Sequence, residues 1–208
     1  MGASSSSETA LQEQQQPQPP ALMTEWVFNT KKKYIIEEEF MSFSGKDFKV
    51  YDVTEQNQKR LVLVARGQVF SLGGKISVHL PDTEEELLNM KLKFFSIREC
   101  YKIFNKHQQD AIASVYVKIL TGFQRNVRMC SGNERAYSAK INWLNTTYTI
   151  KNRAKQIAAC VKKSFFQLDS MNSYNLDVNP GTDALFCILT IFAIDTFNDM
   201  KNKQRRSD

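Results

Sequence analysis

The side chains best suited to catalysis are few and scattered in this chain. Its two histidines, His79 and His107, fall in different predicted hairpins, the first within an alternating strand and the second in a turn. Isolated histidines are more often structural or solvated than part of a metal site. The sequence contains no nucleophile elbow, no P-loop and no Gly-rich phosphate cradle. It therefore predicts a non-enzymatic protein with no catalytic residue, no bound metal and no cofactor.

One carboxylate, Asp195, stands out because it follows an apolar run. The segment DALFCILTIFAIDTF occupies residues 183–197 and carries no charge from Ala184 to Ile194. Asp195 could be a buried functional acid, or a helix-end residue that bonds the backbone or a lysine. We favour the second interpretation, since perturbed carboxylates also occur in purely structural ion pairs.

The N-terminus carries a candidate modification site. MGASSS matches the M-G-x-x-x-[ST] acceptor pattern for N-myristoylation, with Gly2 as the acylated residue and Ser6 at the required spacing. A chance match in a Ser-rich tail is the alternative. One myristoyl chain binds a membrane only marginally, so stable attachment needs a second signal.

The basic triplet Lys31, Lys32 and Lys33 could supply that second signal. It follows a Gln/Pro/Ser-rich segment, residues 1–22, whose composition predicts a disordered tail. We therefore name the three lysines as candidate anionic lipid-binding residues. The simpler alternative is that they solvate the end of a strand. Residues 23–200 are predicted to form one domain, and residues 201–208 a basic C-terminal tail.

The overall charge is compatible with several partners. A net charge of +6 and a pI near 9.1 favour attraction to phosphates of lipid headgroups or nucleic acid. Nucleic acid is the weaker hypothesis, because Phe48, Tyr101 and Tyr148 share a strand face with aliphatic residues and are predicted core. An anionic membrane lipid surface is the favoured partner, and a soluble adaptor for an unknown protein partner is the alternative.

Cysteine usage and targeting signals indicate a cytoplasmic protein. No CxxC pair occurs among the four cysteines, which we predict to be reduced and structural. The N-terminus has no apolar signal-peptide core, so we expect neither a secreted nor a transmembrane protein, but a cytoplasmic one attached peripherally through its N-terminus.

The apolar segment requires a protein environment. Its uncharged run spans roughly 17 Å as a helix, whereas a bilayer core is about 30 Å thick. A helix that is apolar on all sides and too short for a membrane must be enclosed by the rest of the chain. We predict a helix over about 182–199 whose structural core residues are Leu185, Ile188, Leu189, Ile191 and Phe192.

A repeat along the chain predicts what encloses the helix. Apolar–polar–apolar triplets begin at residues 48, 76, 101, 127, 148 and 174, and a second alternating segment separates successive triplets. Such alternation is typical of half-buried strands joined as hairpins. The pattern predicts a mainly β protein: a closed antiparallel barrel of about twelve strands, built from six hairpin repeats and enclosing the C-terminal apolar helix.

Three motifs give this pattern a family resemblance. GKDFKVYDV at 45–53, VFSLGGK at 69–75 and VNPGTDALFCILTIFAID at 178–195 resemble the LURP-one-related family, which shares the tubby-like fold with phospholipid scramblases. The resemblance covers about residues 33–200. It implies a twelve-stranded barrel around a central C-terminal helix. Some tubby-like domains bind phosphoinositides through a basic surface, which implies a similar or signalling role here.

A scramblase-like activity is less consistent with the sequence. Scramblases carry a Cys-rich palmitoylation cluster, which is absent here. The segment before the helix, DSMNSYNLDV at 169–178, also lacks the dense acidic Ca²⁺-binding residues that such proteins have there.

Overall fold

The computed structural model describes most of the chain. The described residues are 21–42, 45–56, 58–68, 74–83, 85–93, 99–106, 108–120, 124–142, 146–165 and 172–207. Gly2 and His107 lie outside these ranges, so the lipidation hypothesis and one of the two histidines have no structural counterpart here.

Twelve strands and one long helix make up the fold, after a short 3₁₀ turn at Thr24–Trp26. The strands are β1 (Lys32–Ser42), β2 (Gly45–Asp52), β3 (Arg60–Gln68), β4 (Lys75–His79), β5 (Glu86–Lys93), β6 (Glu99–Asn105), β7 (Ala113–Ile119), β8 (Gln124–Ser131), β9 (Glu134–Asn142), β10 (Thr147–Asn152), β11 (Ile157–Phe165) and β12 (Asn172–Val178), and the helix is α1 (Ala184–Ser207).

The strands form a closed antiparallel barrel in which each strand pairs with its neighbours in sequence. The first and last strands close it, with Tyr34 of β1 opposite Leu176 of β12. Short turns make this connectivity possible: β8 and β9 are joined through Gly132, whose φ of 54° suits a residue without a Cβ. The predicted fold class is confirmed.

Helix α1 runs through the barrel and forms the centre of its core. The five predicted core residues of the helix, from Leu185 to Phe192, are all fully buried. Aromatic contacts join the helix to the wall: Phe192 stacks on Phe48 with ring centroids 4.6 Å apart, and Phe186 meets Tyr137 edge-on. Since burying one large apolar side chain contributes about 1.5–3 kcal/mol, the helix and the barrel stabilise each other.

The N-terminus of α1 is capped by Asp183. Its Oδ1 accepts a hydrogen bond of 2.9 Å from the Phe186 N–H, the standard N-cap interaction. Among the described residues, no helix is both long and apolar enough to span a bilayer.

Two predicted boundaries differ from the structure. The helix ends at Ser207 and not near residue 199, so most of the predicted basic C-terminal tail continues the helix. Residues 200–206 contain no Gly or Pro and are rich in Lys, Arg and Gln, which propagate a helix well. At the other end Leu22, assigned to the tail, donates its N–H to Asp183 and belongs to the domain.

Candidate functional site

The outer surface of five neighbouring strands carries a cluster of basic side chains. Strands β5 to β9 place apolar residues such as Met90, Val115 and Met129 in the barrel core. Because side chains alternate along a strand, the residues between them point outward. Besides Arg135 near the start of β9, six of these outward residues are basic, and we call these six the basic face: Lys91, Lys93, Lys102, Lys118, Arg128 and Lys140.

Strand register brings these residues together although 49 positions separate the first from the last in the chain. Lys91 lies opposite Lys102, and Asn126 lies between Lys118 and Lys140 on the two neighbouring strands. With adjacent strands about 4.8 Å apart, the five strands span about 20 Å. This width is enough to contact several phosphate groups at once.

Few acidic residues occur in the strands that carry the basic face. The acidic residues of β5 to β9 are confined to the first position of a strand, at Glu86, Glu99 and Glu134. Glu86 pairs with Lys75 at 3.4 Å and Glu134 with Arg153 at 3.3 Å, both outside the basic face. Within the described part of the chain, no basic-face residue is ion-paired to an acidic side chain.

Aromatic rings support two of the lysines. The Lys91 Nζ lies 5.1 Å from the centroid of Phe104, and the Lys102 Nζ lies 5.9 Å from that of Tyr116. Lys102 also donates a 3.0 Å hydrogen bond to the Ser114 Oγ. These contacts orient the ammonium groups without neutralising their charge.

An open cavity of about 320 Å³ lies on the β7–β8 part of the basic face. Its lining combines cationic, polar and apolar groups: Tyr116, Lys118, Leu120, Asn126, Arg128 and Cys130. Burial raises the pKa of the Cys130 thiol, so this cysteine is protonated and a poor nucleophile at neutral pH. The lining thus presents two cationic side chains and one amide within the same cavity.

The predicted lipid-binding triplet lies elsewhere and is largely ion-paired. Lys31 pairs with Asp177 at 3.1 Å, and Lys32 pairs with Asp52 at 3.6 Å. The Lys32 Nζ also lies 4.8 Å from the ring centroid of Phe28. Lys33 is exposed. The triplet therefore offers less unneutralised charge than the basic face.

Asp195 is buried at the end of the core where α1 leaves the barrel. It is 2% exposed, and its Oδ1 accepts a hydrogen bond from the Tyr174 hydroxyl and lies 3.7 Å from the Lys163 Nζ. Burial, followed by the charge of Asp195, raises the pKa of Tyr174 well above its ordinary value. The Lys163 contact agrees with the structural interpretation that the sequence favoured over a functional acid, but Asp195 lies in the middle of α1 and not at its end, because the helix continues to Ser207.

A group of three carboxylates surrounds that position. One oxygen each from Glu38, Asp195 and Asp199 lies within 4.8 Å of the others. Carboxylate oxygens are the ligands that Ca²⁺ and Mg²⁺ prefer, but the Lys163 ammonium already lies against Asp195, and Glu38 accepts a 2.6 Å hydrogen bond from the Asn172 amide. We describe these residues as a polar cluster that closes one end of the core.

The basic face could not be found by scanning for runs of consecutive charges. Its signal is one or two basic residues alternating with apolar residues in each of several strands, as in NMKLK at 89–93, YKIF at 101–104, YVKI at 116–119, NVRM at 126–129 and AKIN at 139–142. The remaining histidine, His79, ends β4 and belongs to no described group of three potential metal ligands.

The chain matches a protein-family profile. The family profile described as LURP-one-related matches residues 32–195, which extend from β1 to Asp195 in α1 and include every strand of the barrel. No curated protein matches the chain. A profile that covers the whole barrel and the first half of its central helix shows that the chain belongs to the LURP-one-related family.

Proposed function

We propose that this protein is a non-enzymatic module that attaches peripherally to anionic membrane surfaces through the basic face, with phosphoinositide-bearing membranes as the preferred target. One observation carries the proposal: six basic side chains on five adjacent strands, with no acidic partner among the described residues. Basic residues near an anionic lipid surface contribute about 1 kcal/mol each. A six-residue face therefore supports a measurable, salt-dependent affinity.

Attachment through Gly2 would add to this affinity. A myristoyl group alone binds marginally, whereas one acyl chain combined with a basic surface gives stable anchoring. In this proposal the basic face takes the role of the second signal that the sequence assigned to Lys31, Lys32 and Lys33.

Vesicle flotation with the full-length protein tests the proposal. Binding should be strong to vesicles of phosphatidylcholine mixed with phosphatidylserine or a phosphoinositide, weak to phosphatidylcholine alone, and should decrease as salt is added, because exposed charges are screened over about 10 Å at 0.1 M salt. Equal binding to neutral and anionic vesicles would contradict it.

Two matched triple variants locate the surface. Replacing Lys91, Lys102 and Lys140 by Gln removes three charges from the basic face, and replacing Lys31, Lys32 and Lys33 by Gln removes three from the predicted triplet. We expect the basic-face variant to lose roughly 100-fold in affinity, at about 1 kcal/mol per residue. The triplet variant should lose much less, because two of its lysines are ion-paired. The reverse order would place the membrane contact at the triplet.

A soluble adaptor function is the second candidate. The surface combines Arg128, Tyr116 and the exposed Leu120, and Arg and Tyr are enriched at protein interfaces. In that case the protein would remain in the unbound fraction with every vesicle composition. Tight binding to duplex DNA at physiological salt would favour the nucleic-acid hypothesis instead.

A further inference from the structure

The basic face contains two kinds of charge. Lys91 and Lys93 lie on β5, away from the cavity, whereas Lys118 and Arg128 line it. Charges on an open surface attract any anionic membrane in proportion to its charge density. Charges that line a concave site can also distinguish one anionic group from another.

The geometry of the cavity suits a compact dianion. Lys118 lies opposite Asn126 in the β7–β8 register, and Arg128 lies opposite Tyr116, so the two cations are diagonal neighbours on one face. Diagonal neighbours on adjacent strands are about 7–8 Å apart, a distance that two long side chains can bridge around one phosphate. Both residues are exposed, and no described acidic side chain pairs with either of them.

The groups in the cavity match the hydrogen-bonding needs of a phosphomonoester. Arg128 presents a planar guanidinium that can bind two phosphate oxygens, and Lys118 adds a point charge. The Asn126 amide, half-buried in the same wall, offers N–H donors. A phosphomonoester carries a charge of about −1.5 to −2 and three acceptor oxygens, whereas a phosphodiester has a smaller negative charge and fewer acceptor oxygens.

An apolar residue at the edge of the cavity favours a lipid over a soluble ligand. Leu120, one residue beyond the end of β7, is 44% exposed and lines the cavity beside the two cations. A phosphate in the cavity would place the glycerol and acyl region of its lipid next to this side chain.

We propose that the cavity lined by Lys118, Asn126 and Arg128 is a specific site for the phosphomonoester group of a membrane lipid headgroup. The inference rests on the proposed membrane attachment and adds selectivity to it. Diffuse attraction by the basic face would bring the protein to any anionic membrane, and the cavity would retain it where phosphomonoester lipids are present.

Vesicles matched in zeta potential test the selectivity. One set contains phosphatidylcholine with phosphatidic acid, whose headgroup is a phosphomonoester, and the other contains phosphatidylcholine with phosphatidylserine, whose phosphate is a diester. The full-length protein should bind the first set roughly 10-fold or more tightly, as expected for charge-assisted hydrogen bonds. Equal affinity would overturn the inference while leaving the proposed function intact, whereas absence of binding to both would overturn the proposed function.

Three variants at exposed positions separate specific from diffuse binding. Arg128→Lys keeps the positive charge but removes the planar guanidinium. If binding is only diffuse attraction, the affinity for phosphatidic acid vesicles should not change. If the cavity is a specific site, that affinity should fall roughly 10-fold. Lys118→Gln removes one positive charge inside the cavity, and Lys91→Gln removes one positive charge outside it. Only Lys118→Gln should reduce the preference for phosphatidic acid, and equal effects of the two would contradict the proposed site.

A soluble competitor distinguishes the lipid from a free ligand. Glycerol 3-phosphate carries the same phosphomonoester without acyl chains, and it should compete with phosphatidic acid vesicles only weakly. Leu120→Ser should weaken vesicle binding and leave glycerol 3-phosphate binding unchanged. If glycerol 3-phosphate binds as tightly as the vesicles, the site is one for a soluble phosphate and the lipid assignment is wrong.

Discussion

The Leu22 N–H donates a 2.6 Å hydrogen bond to the Oδ2 of Asp183, a residue 161 positions further along the chain. The other carboxylate oxygen of Asp183 caps helix α1 through Phe186. Further backbone contacts link the same two regions, from Gly181 to Phe28 and between Val27 and Asp183. One buried carboxylate thus joins the segment before β1 to the start of the central helix.

Stability should depend on pH through Asp183. Burial raises its pKa from 3.8 to about 6, although the N–H groups of Phe186 and Leu22 act in the opposite direction. A carboxyl group with a raised folded-state pKa favours folding most below its unfolded pKa, and this contribution is lost as the pH rises through about 6. The loss is on the order of 3 kcal/mol between those limits.

Urea unfolding of the wild type and Asp183→Asn checks this dependence at several pH values between about 4 and 7. Asn cannot ionise, so the variant should lack this part of the pH dependence, and the wild type should lose stability relative to it as the pH rises. At every pH the variant also lacks one hydrogen bond, because its amide NH₂ cannot accept from a backbone N–H. A constant difference between the two proteins would show that Asp183 titrates normally.

A charge in the middle of the barrel should prevent folding. Ile188 and Ile191 are fully buried, and an unpaired carboxylate there costs several kcal/mol, which is comparable to the total stability of a domain. We expect Ile188→Asp and Ile191→Asp to lose the native circular dichroism spectrum. Ile157→Asp is the matched control, since that side chain is 48% exposed and its replacement should be tolerated. A folded Ile188→Asp protein would be incompatible with a helix-filled barrel.

Lys163 should be energetically coupled to Asp195. Its Nζ lies 3.7 Å from a carboxylate that is 2% exposed, and removing one partner of a buried pair costs about 3–5 kcal/mol. We expect Lys163→Met to destabilise the protein at the lower end of this range, since the lysine is 24% exposed. Lys162→Met, at the neighbouring exposed position, should have little effect.

Chemical denaturation of the single variants and of Lys163→Met/Asp195→Asn completes a double-mutant cycle. The loss of stability in the double variant should be smaller than the sum of the losses in the two single variants. In the double variant neither position carries a charge, so no charge is left unpaired. Strict additivity would mean that the two residues do not interact energetically.

Gly2 should carry a myristoyl group when the protein is co-expressed with an N-myristoyltransferase. Intact-mass spectrometry detects the added acyl chain, and Gly2→Ala should both abolish it and shift the protein towards the soluble fraction. The composition of residues 1–20 predicts a disordered tail, and Leu22 is held to the domain by its hydrogen bond to Asp183, so about 20 residues would separate the acyl chain from the barrel. An unmodified mass would mean that the MGASSS motif is accidental.

Local patterns in the sequence were sufficient to predict the architecture. The period-two alternation around Phe48, Tyr101 and Leu176 identifies strands because a strand buries every second side chain. The uncharged run from Ala184 to Ile194 identifies the central helix, because only a fully enclosed helix can be apolar on every side. Both signals depend on residues that are close in the chain.

The surface chemistry depends on which strands are neighbours and in what register. Lys31 and Lys32 look like free charges in the sequence, but pairing of β1 with β12 and β2 brings Asp177 and Asp52 beside them. Lys91, Lys118 and Lys140 look isolated in the sequence, and yet the barrel places them on one face, where no acidic side chain among the described residues pairs with them. A charge is neutralised or left unpaired according to distances of a few ångströms in space, and only the closed barrel determines those distances for residues so far apart in the chain.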